Sequence, residues 1–385
     1  MMNGLAVRLS LLALLASAQL IACSSDEDAT QDPPGNGSLI DDRPALPVPD
    51  VQPGDGVYSG VWEPGLLLDD DDTLLSWLAF VDLAVADDFA LIDNLELTNE
   101  TDAPISLTVT LRVVGYSETW SRQISLAANE TTTIDTIRPN FAIDRLQAMT
   151  STADATIEFT VSDGTRAPNV YQHAIQILPL NRVRWTSESG EPLDDTIVTL
   201  ITPDEPGLDT VLREAAEFTT GRAIVGYQGG TWESFAEQVE AVFRALHARD
   251  VIYSSVSGSF FDGAQNIRLV RESLANRSAN CMDGSILLSA AYERMELRPF
   301  LVFVPGHVFM GVCDSSDSCE EALLIETTMI SGGDFDAAVE SAWDQIDDTC
   351  GGEWPDFDAS GEQDCFVVML EDAREAGFRP LPLVR

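Results

Sequence analysis

The stretch that constrains this chain most is residues 283–295, DGSILLSAAYERM. It is apolar and alanine-rich with hardly a polar face, so a helix built from it has to be covered on nearly every side. Two β-rich runs follow at once, PFLVFV and HVFMGVC, separated by Pro305 and Gly306. A third, ALLIETT, comes after a polar loop. A buried helix beside consecutive strands is an α+β arrangement, and the rest of the chain has to support it.

Cys281 stands where a loop enters this helix. Unpaired backbone N–H groups at a helix start carry partial positive charge, which favours thiolate over thiol. A thiolate attacks a carbonyl best when an imidazole takes its proton, and the imidazole works best when a carboxylate fixes its tautomer. The chain has three histidines, His173, His247 and His307. His173 alternates with apolar neighbours in a strand-like run and reads as structural. His247 falls on an amphipathic helix and reads as a surface or packing residue. His307 opens the second β-run and is the local candidate for a base, with Glu326 in the third run as its acid. Asp314 competes for that role but sits in the polar loop. Asp283 reads as structural, because an anion so close would raise the thiol pKa. Arg277 and Asn280 shape the approach to the cysteine.

The segments NCMDGSILLSAAYERMELRP, VPGHVFMGV and LLIETT together resemble the transglutaminase-like superfamily of cysteine peptidases and acyltransferases, over roughly residues 196 to 330. The resemblance implies a papain-like α+β fold with Cys281 as nucleophile, His307 as base and Glu326 orienting the imidazole. Many relatives have Asp in the third role, and this chain has Glu. GAQNIRLVRESL resembles the Q-x-I-R segment of bacterial members of that superfamily. Gln265 is then either an oxyanion donor or an amide that ties loop backbone together. Tyr253, Phe260 and Phe261 are aromatic core or the lining of an acyl groove. Trp343 and Trp354 edge the cleft or pack.

The N-terminus reads as a targeting segment. Residues 5–22, LAVRLSLLALLASAQLIA, make a short apolar run with one early arginine, too short for a membrane span. It ends in Leu20, Ile21, Ala22 and Cys23, which resembles the lipobox of bacterial lipoproteins. That implies a signal over 1–22, lipidation at Cys23 and a bacterial cell-envelope location; Ser24 leans it to the outer membrane. A plain secretory signal is the alternative. Residues 23–56 are rich in Pro, Gly, Ser and Asp and read as a disordered spacer.

Six cysteines are present, and lipidation at Cys23 leaves an odd five. Cys313 and Cys319 flank a short loop, and Cys350 and Cys365 flank another, although four cysteines allow three pairings. By elimination the expected free thiol is Cys281.

Residues 57–185 read as short strands broken by turns at NETDAP, AANET and SDGT, an antiparallel β-sandwich of immunoglobulin-like type. TLLSWLAFVDLAV is expected as one of its strands. The acid run Asp69 to Asp72 lacks the spaced oxygen ligands of a calcium loop and reads as solvated. Residues 186–385 form the second domain. TIVTLITP is expected as a strand, then a helix enters at Pro206, and WESFAEQVEAVFRALHARD spaces Phe235, Val239, Val242, Phe243 and Leu246 on one helical face.

The net charge of −43, from 21 basic and 64 acidic residues, repels nucleic acid and anionic lipid head groups. No metal or cofactor motif is present, and nothing in the residues sets an oligomeric state. The resulting expectation is an exported, lipid-anchored thiol enzyme acting on peptide or amide bonds, with a peptide or protein substrate as partner. The alternative is a surface binding or scaffold lipoprotein that keeps the fold without turnover.

Overall fold

Period-two alternation along LTVTLRV and IEFTV becomes, in the computed structural model, strands with one buried face. The structure describes residues 46–47, 57–82, 89–187, 190, 192–255, 264–313, 319, 321–350, 352–353, 356–357 and 365–383. The signal segment 1–22, Cys23, most of the spacer, Phe260, Phe261, Asp314 and Trp354 lie outside the described residues.

The N-terminal half comprises β1 (Tyr58–Pro64), β2 (Ile92–Asn99), β3 (Ile105–Val113), β4 (Trp120–Leu126), β5 (Thr131–Ile137), β6 (Ala153–Ser162) and β7 (Asn169–Ile177). They form two sheets, ordered Leu46–Pro47, β1, β2, β5 and Thr73–Leu74, β7, β6, β3, β4. Pairing is antiparallel except where Thr73–Leu74 joins β7. Leu95 and Leu97 of β2, Val109 and Leu111 of β3, and Ile157 and Val161 of β6 bury their side chains in one continuous core. Each such side chain contributes about 1.5–3 kcal/mol by leaving water. At the NETDAP corner, buried Asn99 donates to the carbonyls of Ala103 and Ala127 and accepts from the backbone N–H and hydroxyl of Thr101.

Two expected strands are different elements. Among the described residues of TLLSWLAFVDLAV only Thr73–Leu74 pairs as a strand, and Ser76–Phe80 is a 3-10 turn. Leu74, Leu75, Trp77 and Leu78 are all fully buried, and such a continuous apolar run carries no period that separates strand from buried turn. TIVTL likewise lies in a 3-10 turn, Asp194–Leu200. The Thr196 and Thr199 hydroxyls bond back to the carbonyls of Leu193 and Thr196, an alternative to ladder pairing. The two turns meet where the Trp77 indole donates to Thr196 Oγ1 at 3.1 Å.

The acid run is also not a solvated loop. Asp69 is buried and accepts from Arg184 Nη1 at 2.7 Å, while Asp71 accepts from Arg184 Nη2 at 2.7 Å. Asp72 lies 2.6 Å from His173 Nε2. These partners lie 101 to 115 residues away in sequence, so no local pattern announces them.

The C-terminal half contains β8 (Arg182–Arg184), α1 (Pro206–Ala215), α2 (Trp232–Ala248), β9 (Ala264–Asn266), α3 (Val270–Asn276), α4 (Cys281–Arg294), β10 (Arg298–Val304), β11 (His307–Cys313), β12 (Ala322–Ile325), α5 (Phe335–Thr349), β13 (Phe366–Met369) and α6 (Leu370–Glu375). The chain as a whole is therefore mixed α+β with several antiparallel sheets. Pro206 opens α1, and Phe235, Val239, Val242, Phe243 and Leu246 of α2 are buried. The main sheet runs β12, β11, β10, β13, all antiparallel. Helix α4 packs on β10 and β11 and is buried over nearly all its length. Cys313 is bonded to Cys319 and Cys350 to Cys365.

Candidate active site

Asn280 caps α4: its side chain accepts from the Asp283 N–H at 2.8 Å, and Asp283 accepts in return from the Asn280 N–H at 3.0 Å. This reciprocal box places Cys281 at the first helical position, at the positive end of the helix dipole. Asp283 is fully buried, and burial pushes its carboxyl up. The bonds it accepts from Asn280 and from Arg268, through backbone N–H and guanidinium at 2.7 and 2.5 Å, act against that rise. The acid beside the cysteine is therefore structural, and its partner is the Arg of the Q-x-I-R segment.

Gln265 precedes that arginine by three residues, on β9 opposite Val183 of β8. Its carbonyl oxygen accepts from the Trp185 indole N–H at 3.0 Å. The Trp185 ring also meets Phe303 edge to face at 5.7 Å, and Phe303 pairs with Val308, the residue after His307. Gln265 thus joins both sides of the site: through Arg268 to the first turn of α4, and through Trp185 to the His307 end of the hairpin.

His307 follows a two-residue turn, because Val304 pairs directly with His307 and Pro305 and Gly306 bridge them. Gly306 has φ 72°, a left-handed conformation that suits glycine after proline in a type II turn. The imidazole Nε2 lies 2.7 Å from Glu326 Oε2, with both side chains largely buried. Glu326 accepts as well from Gln345 Nε2 at 2.7 Å and from the Thr328 N–H and hydroxyl at 2.9 and 2.6 Å. Burial pushes Glu326 up, but the hydrogen bond and charge of His307, with Thr328 and Gln345, outweigh it and hold the carboxyl below its usual value. A carboxylate kept ionised makes Nε2 the protonated nitrogen, so Nδ1 is left as the basic atom.

Glu326 is not inside a strand, as its run suggested. Strand β12 stops at Ile325, and Glu326 caps the 3-10 turn Thr327–Gly332 with its side chain. The change matters because the turn brings Thr327 onto α4. Its hydroxyl donates to the Cys281 carbonyl at 3.1 Å, and the Ser285 hydroxyl donates to the same oxygen at 2.7 Å. A Cβ on Gly284 would come within 3.0 Å of Thr327 Oγ1, so glycine there lets the turn seat. The residue after the acid is in this way bonded to the backbone of the cysteine.

Tyr253, next to Ala279 in a short parallel pairing, has its hydroxyl pushed up by burial and then by the charges of Glu326 and Asp283. Arg277 takes a left-handed conformation after α3, with its side chain exposed near Asp250. His247 bonds the Ile330 carbonyl at 3.0 Å, and Trp343 packs against the buried cluster that includes Phe300, Phe309 and Ile346.

One expectation fails. Cys281 is disulfide-bonded, and no described cysteine is free. The expectation of a free thiol came from removing Cys23 from the cysteine count. The structure describes an oxidised site, in which the sulfur is not a nucleophile. Sequence reasoning also missed Trp185, Thr327 and Gln345. Their only signal is hydrogen-bonding capacity at positions fixed by the fold.

No known protein family matches the chain, and no curated protein does. Among solved structures, a protein of Cytophaga hutchinsonii assigned provisionally as a cysteine protease is similar at 10% identity, over 62% of this chain and 75% of its own, with a TM-score of 0.22. An exo-β-D-glucosaminidase, CsxA, is similar at 13% identity over 48% of this chain, with a TM-score of 0.18. The Amycolatopsis orientalis exo-chitosanase CsxA gives 14% identity and a TM-score of 0.16. This chain spans 28% of the length of the chain in each of those two CsxA structures. Likenesses of this size fix neither fold nor function.

Proposed function

We propose that the reduced protein is a transglutaminase-like cysteine enzyme that hydrolyses peptide or amide bonds through a thioester at Cys281. The observation that carries the reading is the buried His307–Glu326 pair, tied to the Cys281 backbone through Thr327. In this reading His307 Nδ1 takes the thiol proton, and the thiolate adds to the substrate carbonyl. The oxyanion is met by backbone N–H groups at the start of α4 and by the Gln265 amide. The leaving amine takes the proton from His307, and water then cleaves the thioester by the same base. Glu326 keeps the imidazole in the required tautomer and offsets its positive charge. Hydrolysis is preferred to transfer because nothing among the described residues marks a second, amine-binding site.

The immunoglobulin-like type of the first half and the papain-like type of the second belong to the same reading. So does export as a lipoprotein anchored at Cys23 in the outer membrane, which mass analysis of the N-terminal peptide from membranes tests directly.

A second reading has its own support. The Cys281 disulfide and its nearly complete burial fit a scaffold that keeps the fold without turnover. Iodoacetamide separates the two. After mild dithiothreitol treatment at neutral pH, the enzyme labels promptly at Cys281, and labelling slows sharply in His307→Ala. A thiol that reacts only in denaturant leaves the scaffold reading standing.

A further inference from the structure

The acid loop of the N-terminal half reaches into the frame of the candidate site. Asp69 and Asp71 both bind Arg184, whose guanidinium is almost wholly buried. Asp71 holds it bidentately, with Nη1 to Oδ1 at 3.2 Å and Nη2 to Oδ2 at 2.7 Å. A planar fork gripped by two carboxylates fixes both the position and the roll of the side chain. Arg184 is the last residue of β8, and β8 is the strand on which β9 pairs: Arg184 with Ala264, Val183 with Gln265, Arg182 with Asn266. The next residue, Trp185, donates its indole N–H to Gln265 Oε1.

An indole N–H is a donor and nothing else. It therefore selects which end of the Gln265 amide faces it, and the NH2 end must face the other way. A carboxamide without such a partner can present either its donor or its acceptor end at little cost, and only the donor end serves an oxyanion.

We infer that the N-terminal half is a positioning element of the site: through Asp69, Asp71, Arg184 and Trp185 it holds Gln265 with its NH2 group presented for oxyanion binding. The inference rests on reading Cys281 as a nucleophile. It gives the β-sheet half a role in the chemistry and makes Trp185 and Asp71 positioning residues.

Two small probes of the reduced full-length chain separate this role from plain structural support. Iodoacetamide alkylates the thiolate by displacement at a saturated carbon; a carbon–sulfur bond forms, iodide leaves and no oxyanion arises. With p-nitrophenyl acetate the thiolate adds to a carbonyl, a tetrahedral oxyanion forms, and p-nitrophenolate leaves to give the acetyl thioester. Gln265→Ala is expected to slow the nitrophenolate burst about 100-fold, the scale of one lost oxyanion donor. Trp185→Phe, which keeps the ring and removes only the N–H, is expected to slow it about tenfold. Asp71→Asn, at a partly exposed position, is expected to slow it severalfold, with Asp71→Glu restoring the rate. In all of them alkylation by iodoacetamide stays within about twofold of the unmodified protein. Equal losses with both probes, or no loss with either, overturn the inference. If the unmodified reduced protein reacts with neither probe, the nucleophile reading itself is what fails.

Discussion

The two halves of the molecule bury polar groups on different terms. In the β-sheet half the fully buried polar side chains, Asn99 and Ser76, sit at corners and turns and are satisfied mainly by backbone, while its interior is Leu, Val, Ile and Trp. In the α+β half two carboxylates are buried: Asp283, two residues after Cys281, and Glu326, whose neighbour Thr327 donates to the Cys281 carbonyl. Buried charge is expensive, and each is offset by a specific set of donors. The first half is thus stabilised mainly by area, with the Asp69–Asp71–Arg184 clasp as its ionic exception, and the second is tuned by pairs, so mutations in the two should fail differently.

The largest effect should come from the pair. His307→Ala removes the base, and acylation of reduced Cys281 by p-nitrophenyl acetate should fall by about 10²–10⁴. Its thermal midpoint should fall as well, because Glu326 stays buried with one donor fewer, so the rate is read well below that midpoint. An unchanged rate in the folded variant makes His307 a packing residue and removes the contrast.

Trp77→Ala tests the other side. The ring is fully buried at the junction of the two 3-10 turns and also loses its bond to Thr196. A cost of about 3–5 kcal/mol is expected in urea unfolding, while the ratio of acylation to alkylation rates stays unchanged in the folded protein. A changed ratio means that the core of the first half acts on the site more broadly than through Arg184.

These outcomes bear on what the sequence disclosed. Strands β3 and β6 were legible because one face is wet and the other dry, which forces alternation. Helix α4 and the hairpin that carries His307 were legible because residue type and order alone carry their signal. The misread stretches are those where burial is continuous: around Trp77, period vanishes and strand cannot be told from turn. The Arg184 clasp, Trp185 and Gln345 depend on contacts across 19 to 115 residues, and no local window contains both partners. Glu326 was assigned to a strand although Glu-Thr-Thr carries capping chemistry, and the apolar run before it masked that signal.

Gln345→Leu should give a smaller effect, readable by pH. It removes one donor from the oxygen that also faces His307, costing about 1.5–3 kcal/mol at neutral pH, the range for a bond to a charged group. Glu326 has its folded pKa lowered from 4.5, so the stabilisation from its charged bonds is complete above that pH and is lost as pH falls through the folded value. The gap between variant and parent in urea midpoint should close on acidification. A gap that is constant with pH shows that Gln345 packs and does not stabilise the charge.

The smallest effect tests the junction between the halves. Asp194 opens the 3-10 turn that meets Trp77, and burial, followed by the charge of Asp195, raises its carboxyl to about 6. Asp195 is itself pushed up by burial and by Asp372, so the acids crowd one place. For a raised carboxyl the contribution to stability is present below the unfolded value of 3.8 and is lost as pH rises through about 6. The full shift corresponds to about 3 kcal/mol, and solvent screening at this partly exposed group reduces it to about 1–2 kcal/mol. Asp194→Asn should therefore match the parent near the lower pH and exceed its urea stability by that amount above the upper one. If the variant gains nothing at alkaline pH, the junction carries no buried charge, and ionic tuning is confined to the shell around Cys281 and the Arg184 clasp.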